Sequence, residues 1–104
     1  MINSFYVRGS SFRREAFVTV RLGHAVTFLL ELDNEYDPNA IKLVAESLHI
    51  GYVPKELTQY VRELLPLKGH ISRLEWDEML RPIVEVSFDA NTLIPTQQSL
   101  SKRS

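Results

Sequence analysis

A mainly β fold, a small barrel or partly open sheet with one amphipathic α-helix, follows from three features of the sequence. About seven short segments alternate apolar and polar residues with the period of a half-buried strand. One segment, residues 54–66, changes to helical spacing. The chain has 104 residues, enough for one modest core, and in so short a β protein closure of the sheet leaves few unpaired edges.

The elements are justified in chain order. "NSFYVRG" puts Phe5 and Val7 on one side of a first strand that ends at the turn-prone "RGSS". "EAFVTVRL" reads as a second strand, with Ala16, Val18 and Val20 against Phe17 and Thr19. "AVTFLLEL" places Val26, Phe28, Leu30 and Leu32 on one face, although Leu29 crowds the other. "AIKLVA" and "SLHIGYV" form a hairpin, Ile41 and Leu43 inward on the first arm and Leu48, Ile50 and Tyr52 sharing a face on the second. In "PKELTQYVRELLP" the apolar residues Leu57, Tyr60, Val61, Leu64 and Leu65 recur at helical spacing, with Pro54 suited to the first turn and Pro66 to the stop. "LKGHISRLEWDE" and "LRPIVEVSFD" are the last two strands; in the second, Val84, Val86 and Phe88 face away from Glu85 and Ser87. Residues 1–90 thus make one domain, and 91–104, polar and aperiodic, read as a loose tail.

Composition narrows the function. With 12 Lys plus Arg against 13 Asp plus Glu the net charge is −1, so any nucleic-acid binding must come from a local patch rather than from overall charge. The chain has no Cys, which excludes disulfides, thiol nucleophiles and thiolate metal sites. No window approaches the ~20 apolar residues of a membrane span, and the expectation is a cytoplasmic protein with no membrane association.

The stretch "ELDNEYDPNAIKL", residues 31–43, concentrates oxygen side chains. Asp33, Glu35, Asp37 and Asn39 follow the opening rhythm of a calcium-binding loop, but Pro38 stands where glycine makes the sharp turn and Val44 where a bidentate Glu belongs. Asp33, Asp37 and Lys42 match a two-metal nuclease in residue type only. His24, His49 and His70 are dispersed, and no phosphate-cradling P-loop occurs. Neither a catalytic centre nor a cofactor is indicated. Binding chemistry fits better: single strands are held by aromatic faces together with cations, and Phe12 in "RGSSFRR", Tyr36, Tyr52 and Lys55 supply both. The alternative for the same residues is that Phe12 and Tyr52 are core and that Arg13 and Arg14 belong to an ordinary solvated turn.

The order of these pieces closely resembles the HIRAN domain. The resemblance rests on a "G-x-x-F" turn from Gly9 to Phe12, then "LELDNEYDPNAIKL", then "IGYVPKEL" leading into the helix, and it spans roughly Ser4 to Leu65. It implies an OB-like β-barrel that encloses the terminal nucleotide of single-stranded DNA and its free 3′-hydroxyl. Carried over by position, Tyr36 would stack on the terminal base, and Asn34 and Asp37 would hydrogen-bond the end. A carboxylate at Asp37 accepts a hydrogen bond from a hydroxyl and repels a 3′-phosphate. Phe12 stands at a stacking position, and Lys55 would touch a phosphate near the helix N-terminus. A role in DNA repair beside a separately encoded helicase or nuclease is also implied.

Two departures bear on affinity. Glu35 replaces a usual proline and adds negative charge beside the DNA path, and Ser11 replaces an arginine, although Arg8, Arg13 or Arg14 lies close enough to supply the charge. Fewer cationic contacts release fewer counterions. The loop residues are also turn formers: Asp33, Asn34, Asp37 and Asn39 commonly bond their own backbone, and Pro38 stiffens the connection. Two other readings stay open at this point, a protein-interaction or regulatory module and a metal-dependent hydrolase using Glu31, Asp33 and Asp37.

Overall fold

The computed structural model describes residues 2–89. The 91–104 tail and the domain boundary at residue 90 lie outside the described residues. Six antiparallel strands form one sheet: β1 (Ile2–Tyr6), β2 (Ala25–Leu30), β3 (Ile41–Ala45), β4 (Leu48–Tyr52), β5 (Lys68–Trp76) and β6 (Pro82–Asp89). Their spatial order is β1-β6-β5-β2-β3-β4. The sheet curls into an OB-like half-barrel whose two outer strands meet just past β1. There Val7 donates its backbone N–H to Val84 on β6 at 2.8 Å, and the next residue crosses to β4, where Arg8 and Tyr52 exchange two backbone hydrogen bonds of 2.9 Å.

Gly51 makes that crossing possible. Its φ of +144° lies outside the range that side-chain-bearing residues readily adopt. A Cβ there would run into the Val7 side chain and stand 2.6 Å from the Arg8 carbonyl oxygen. The glycine therefore serves the barrel seam through close backbone packing.

The inward face matches the alternation read from β1, β3 and β6: Phe5, Ile41, Leu43, Val84, Val86 and Phe88 are buried. Phe5, Phe28 and Phe88 form a ring trio with centroids 5.9 to 6.0 Å apart, two of the three pairs edge to face. Such pairs add ~0.5–1.5 kcal/mol each beyond the area they bury. The β3–β4 hairpin turns through Glu46 and Ser47, both left-handed (φ 52° and 65°), as a two-residue loop needs to follow the right-handed strand twist.

Four local expectations are corrected. The expected second strand is instead a 3₁₀ segment, Ser10–Val18, kinked at Arg13. It buries Ser10, Ala16 and Phe17, and with Val20 just past its end buried and Val18 and Thr19 exposed, the spacing is helical rather than alternating. It covers the sheet between β4 and β6, and Ser10 is anchored by its Oγ donating to the Pro82 carbonyl at 3.2 Å. Leu30 and Leu32 leave the core, because the β2–β3 pairing ends at Leu30 and Ile41 and the chain then turns outward. Ser87 is buried rather than solvent-facing, with its hydroxyl donating to Ser72 at 2.7 Å. The helix is shorter than expected: a 3₁₀ turn, Lys55–Leu57, leads into α1 (Thr58–Leu64), which buries Thr58 and Val61. Tyr60 stays exposed, its hydroxyl accepting from Asn3 at 3.2 Å.

Candidate nucleic-acid interface

The loop between β2 and β3 is built almost wholly from its own polar atoms. The Glu31 N–H donates to the Ala40 carbonyl at 3.0 Å and closes the neck. Inside it, the Asn34 Oδ1 accepts from the backbone N–H groups of Tyr36 and Asp37 at 2.8 and 2.9 Å. The Asp37 Oδ1 accepts from the Asn39 N–H at 3.0 Å. These side-chain-to-backbone bonds replace the ladder that a loop lacks. Arg62 of α1 donates to the Asn39 Oδ1 at 2.6 Å and ties the loop to the helix.

Glu31 is the polar hub beneath the loop. Its Oε1 accepts from the Tyr52 hydroxyl and from the Asn34 Nδ2, both at 2.8 Å, and Lys42 lies 3.9 Å from its Oε2. The Tyr52 hydrogen bond, followed by that of Asn34, holds the Glu31 carboxyl below its ordinary value. Burial, with the same hydrogen bond second, pushes the Tyr52 phenol up. His49 meets the Tyr52 ring edge to face at 4.9 Å, and burial lowers its pKa, with Arg13 adding to the effect. The charges are thus set by neighbours already in place, and the Tyr52 ring is fixed in position.

The outcome is an open cleft of about 350 Å³ lined by Arg8, Asn34, Tyr36, Asp37, Ala40, Tyr52, Val53 and Lys55. Five of the six residues singled out from the sequence, Asn34, Tyr36, Asp37, Tyr52 and Lys55, share it. Phe12 does not line it; it sits 85% exposed on the 3₁₀ segment, its N–H bonded to Gly9 beside Arg8. Phe12 is therefore not core, and Tyr52 is half-buried at the cleft wall. Tyr36 is 96% exposed, a large ring held in solvent by a hydrogen-bonded loop. Neither Arg8 nor Lys55 makes an ion pair among the described residues, and the second oxygen of Asp37 has no hydrogen-bond partner there. Three lining residues, Arg8, Ala40 and Val53, are outside the set that the sequence singles out, where Arg8 is only one of three arginines close to Ser11. Ala40 reads from sequence as core, and the place of Val53 depends on its N–H bonding across to Ile41 at 3.1 Å.

Among the described residues no group of three or more His, Cys, Asp or Glu side chains is placed to hold a metal ion. Glu31 in particular is spent on Tyr52 and Asn34. Among those residues no helix is long and apolar enough to cross a membrane.

The fold is shared with two solved structures. A protein from Lactobacillus plantarum superposes with a TM-score of 0.65 at 22% identity, covering 83% of this chain and 90% of its own. The HIRAN domain of human HLTF superposes with a TM-score of 0.58 at 19% identity, covering 84% of this chain and 74% of its own. A search of curated proteins finds no match. HIRAN domains are known as DNA-binding modules without catalysis of their own. The sequence pattern of the HIRAN domain matches residues 2–81, and the chain belongs to the HIRAN domain family.

Proposed function

We propose that the chain binds single-stranded DNA at a 3′-hydroxyl end in this cleft. The observation that carries the reading is the company of Tyr36 and Asp37: an almost fully exposed ring and a half-satisfied carboxylate line one cleft together with the unpaired cations Arg8 and Lys55. Base–aromatic stacking is worth ~1–3 kcal/mol per base, enough for Tyr36 to hold a terminal nucleotide. The free oxygen of Asp37 accepts the terminal hydroxyl and repels a phosphate at the same place. Arg8 and Lys55 take the next phosphates along the strand, and Phe12 offers a second stacking face on the shoulder beside Arg8. Asn34 contributes mainly by fixing the loop, since its oxygen is committed to two backbone amides and only one amide hydrogen is left for a ligand.

Fluorescence anisotropy with short single strands ending in a 3′-hydroxyl or a 3′-phosphate tests this. The hydroxyl end binds at least tenfold tighter, a difference of ~1.4 kcal/mol, and Asp37→Asn narrows the gap by removing the repelling charge. Equal affinity for both ends in the parent protein, or no binding at low salt, would sink the reading.

A further inference from the structure

Away from the cleft, the far half of β5 is an open sheet edge. β5 pairs with β2 only at Lys68, Gly69 and His70, whereas its partnership with β6 continues to Trp76. The Asp77 N–H donates to the Arg81 carbonyl across the hairpin at 3.0 Å, so by strand alternation Glu75 and Arg73 also turn their backbone groups toward β6. Leu74 and Trp76 then direct N–H and C=O away from β6. Beyond Ile71, which bonds to the His24 carbonyl and the Gly23 N–H, nothing among the described residues meets that edge. The side chains there are Ser72, Arg73, Leu74, Glu75 and Trp76, with Trp76 46% exposed.

We propose that this edge pairs with the same edge of a second copy of the chain, antiparallel and centred on Leu74. The pattern is self-complementary under the two-fold symmetry that such a contact requires. With Leu74 opposite Leu74 of the second copy, Arg73 falls directly opposite its Glu75 and Glu75 opposite its Arg73. Directly opposed unlike charges stabilise an antiparallel pair, and like charges in that position oppose it. Trp76, on the same face as Leu74, falls diagonal to Leu74 of the second copy, which covers the exposed indole, while Ser72 sits in a bulge of β5 and stays bonded to Glu85 and Ser87 of its own chain. The outward amides and carbonyls of the two Leu74 residues satisfy each other, and one continuous sheet runs through both barrels. Charged side chains often blunt an edge against its neighbours; here the two charges are of opposite sign and two residues apart, the arrangement that reads itself. In the single copy Arg73 and Glu75 already pair at 3.0 Å, both about half-exposed. The contact uses none of the cleft residues, and it stands or falls separately from the DNA reading.

Sedimentation velocity on the full chain without DNA tests the pairing. The parent protein sediments as a dimer at high concentration and dissociates on dilution. Arg73→Glu alone and Glu75→Arg alone each place like charges opposite one another, and each variant halves in mass to a monomer. An equimolar mixture of the two variants restores the dimer mass, because each then supplies the charge the other lacks, and so does the double variant R73E/E75R. A parent protein that is monomeric at every concentration overturns the proposal, as does dimerisation that survives either single charge reversal. Should one single variant fail to fold, the other and the double variant still decide the matter.

Discussion

Two segments near the cleft each hold an aromatic ring out in solvent, Tyr36 on the β2–β3 loop and Phe12 on the 3₁₀ segment, and they do so by different means. The loop around Tyr36 buries little besides Ala40 and is held by Asn34, Asp37 and Glu31 bonding the backbone and one another. The segment around Phe12 has one buried side-chain anchor, Ser10, and otherwise stays in place by sinking Ala16 and Phe17 into the core. A ring on a polar scaffold is positioned to within a hydrogen-bond length and comes loose locally. A ring on an apolar scaffold is tied to the stability of the whole barrel. The proposed DNA site thus has one stacking face on a loop that opens on its own, and a second on the shoulder that fails only with the fold.

The largest break in this comparison is Phe17→Ala. Phe17 is fully enclosed, so truncation leaves a cavity and costs about 3–5 kcal/mol. Urea denaturation shows a large fall in the midpoint with one cooperative transition, and the backbone amides of residues 10–18 lose protection in step with those of β5 and β6. Loss of structure confined to residues 10–18 would refute the claim that this segment is part of the core.

Asn34→Ala is smaller and local. It frees two backbone amides and removes one hydrogen bond from Glu31, at ~1–2 kcal/mol given partial solvent access. Hydrogen exchange at the Tyr36 and Asp37 amides accelerates while the β5 and β6 amides keep their rates. Unchanged exchange at those two amides would show that something other than Asn34 holds the loop.

The smallest effect is the response of the polar scaffold to acid. His49, chiefly through burial, and Glu31, chiefly through the Tyr52 hydrogen bond, both have folded-state values below their ordinary ones of 6.5 and 4.5. A depressed pKa contributes stability that is complete above the unfolded-state value and is lost as pH falls through the folded one. The loss therefore begins below 6.5 for His49 and below 4.5 for Glu31. Thermal melts of the parent and Glu31→Gln check the second: the gap between them narrows as pH drops below 4.5, by less than about 1 kcal/mol for so solvent-accessible a pair. A gap that stays constant through the acid range would mean the Glu31 charge does not stabilise the loop.

The same two segments show how far the sequence could be read. "DNEYDPNA" declares a tight connection through residues whose side chains bond their own backbone, and the structure holds those bonds between neighbours two or three positions apart. "FRREAFVTVRL" carries apolar residues that satisfy a period of two and a period of three to four equally well. Local pattern cannot separate the two when both faces contain Val or Phe. The choice fell to the barrel, which needed a cover between β4 and β6 and buried Ala16, Phe17 and Val20 together.

By itself the sequence determined the strand alternation of β1, β3, β4 and β6, the helical face at Val61, the polar loop and the family motif, all of which depend on residues within a few positions of each other. Only the tertiary structure decided that Arg8 and Tyr52 join the sheet's two ends and that Tyr36, Asp37, Tyr52 and Lys55 line one cleft. It also decided that half of β5 is left open. Those outcomes depend on contacts between residues tens of positions apart, whose geometry is fixed by closing the barrel over its core rather than by any local preference.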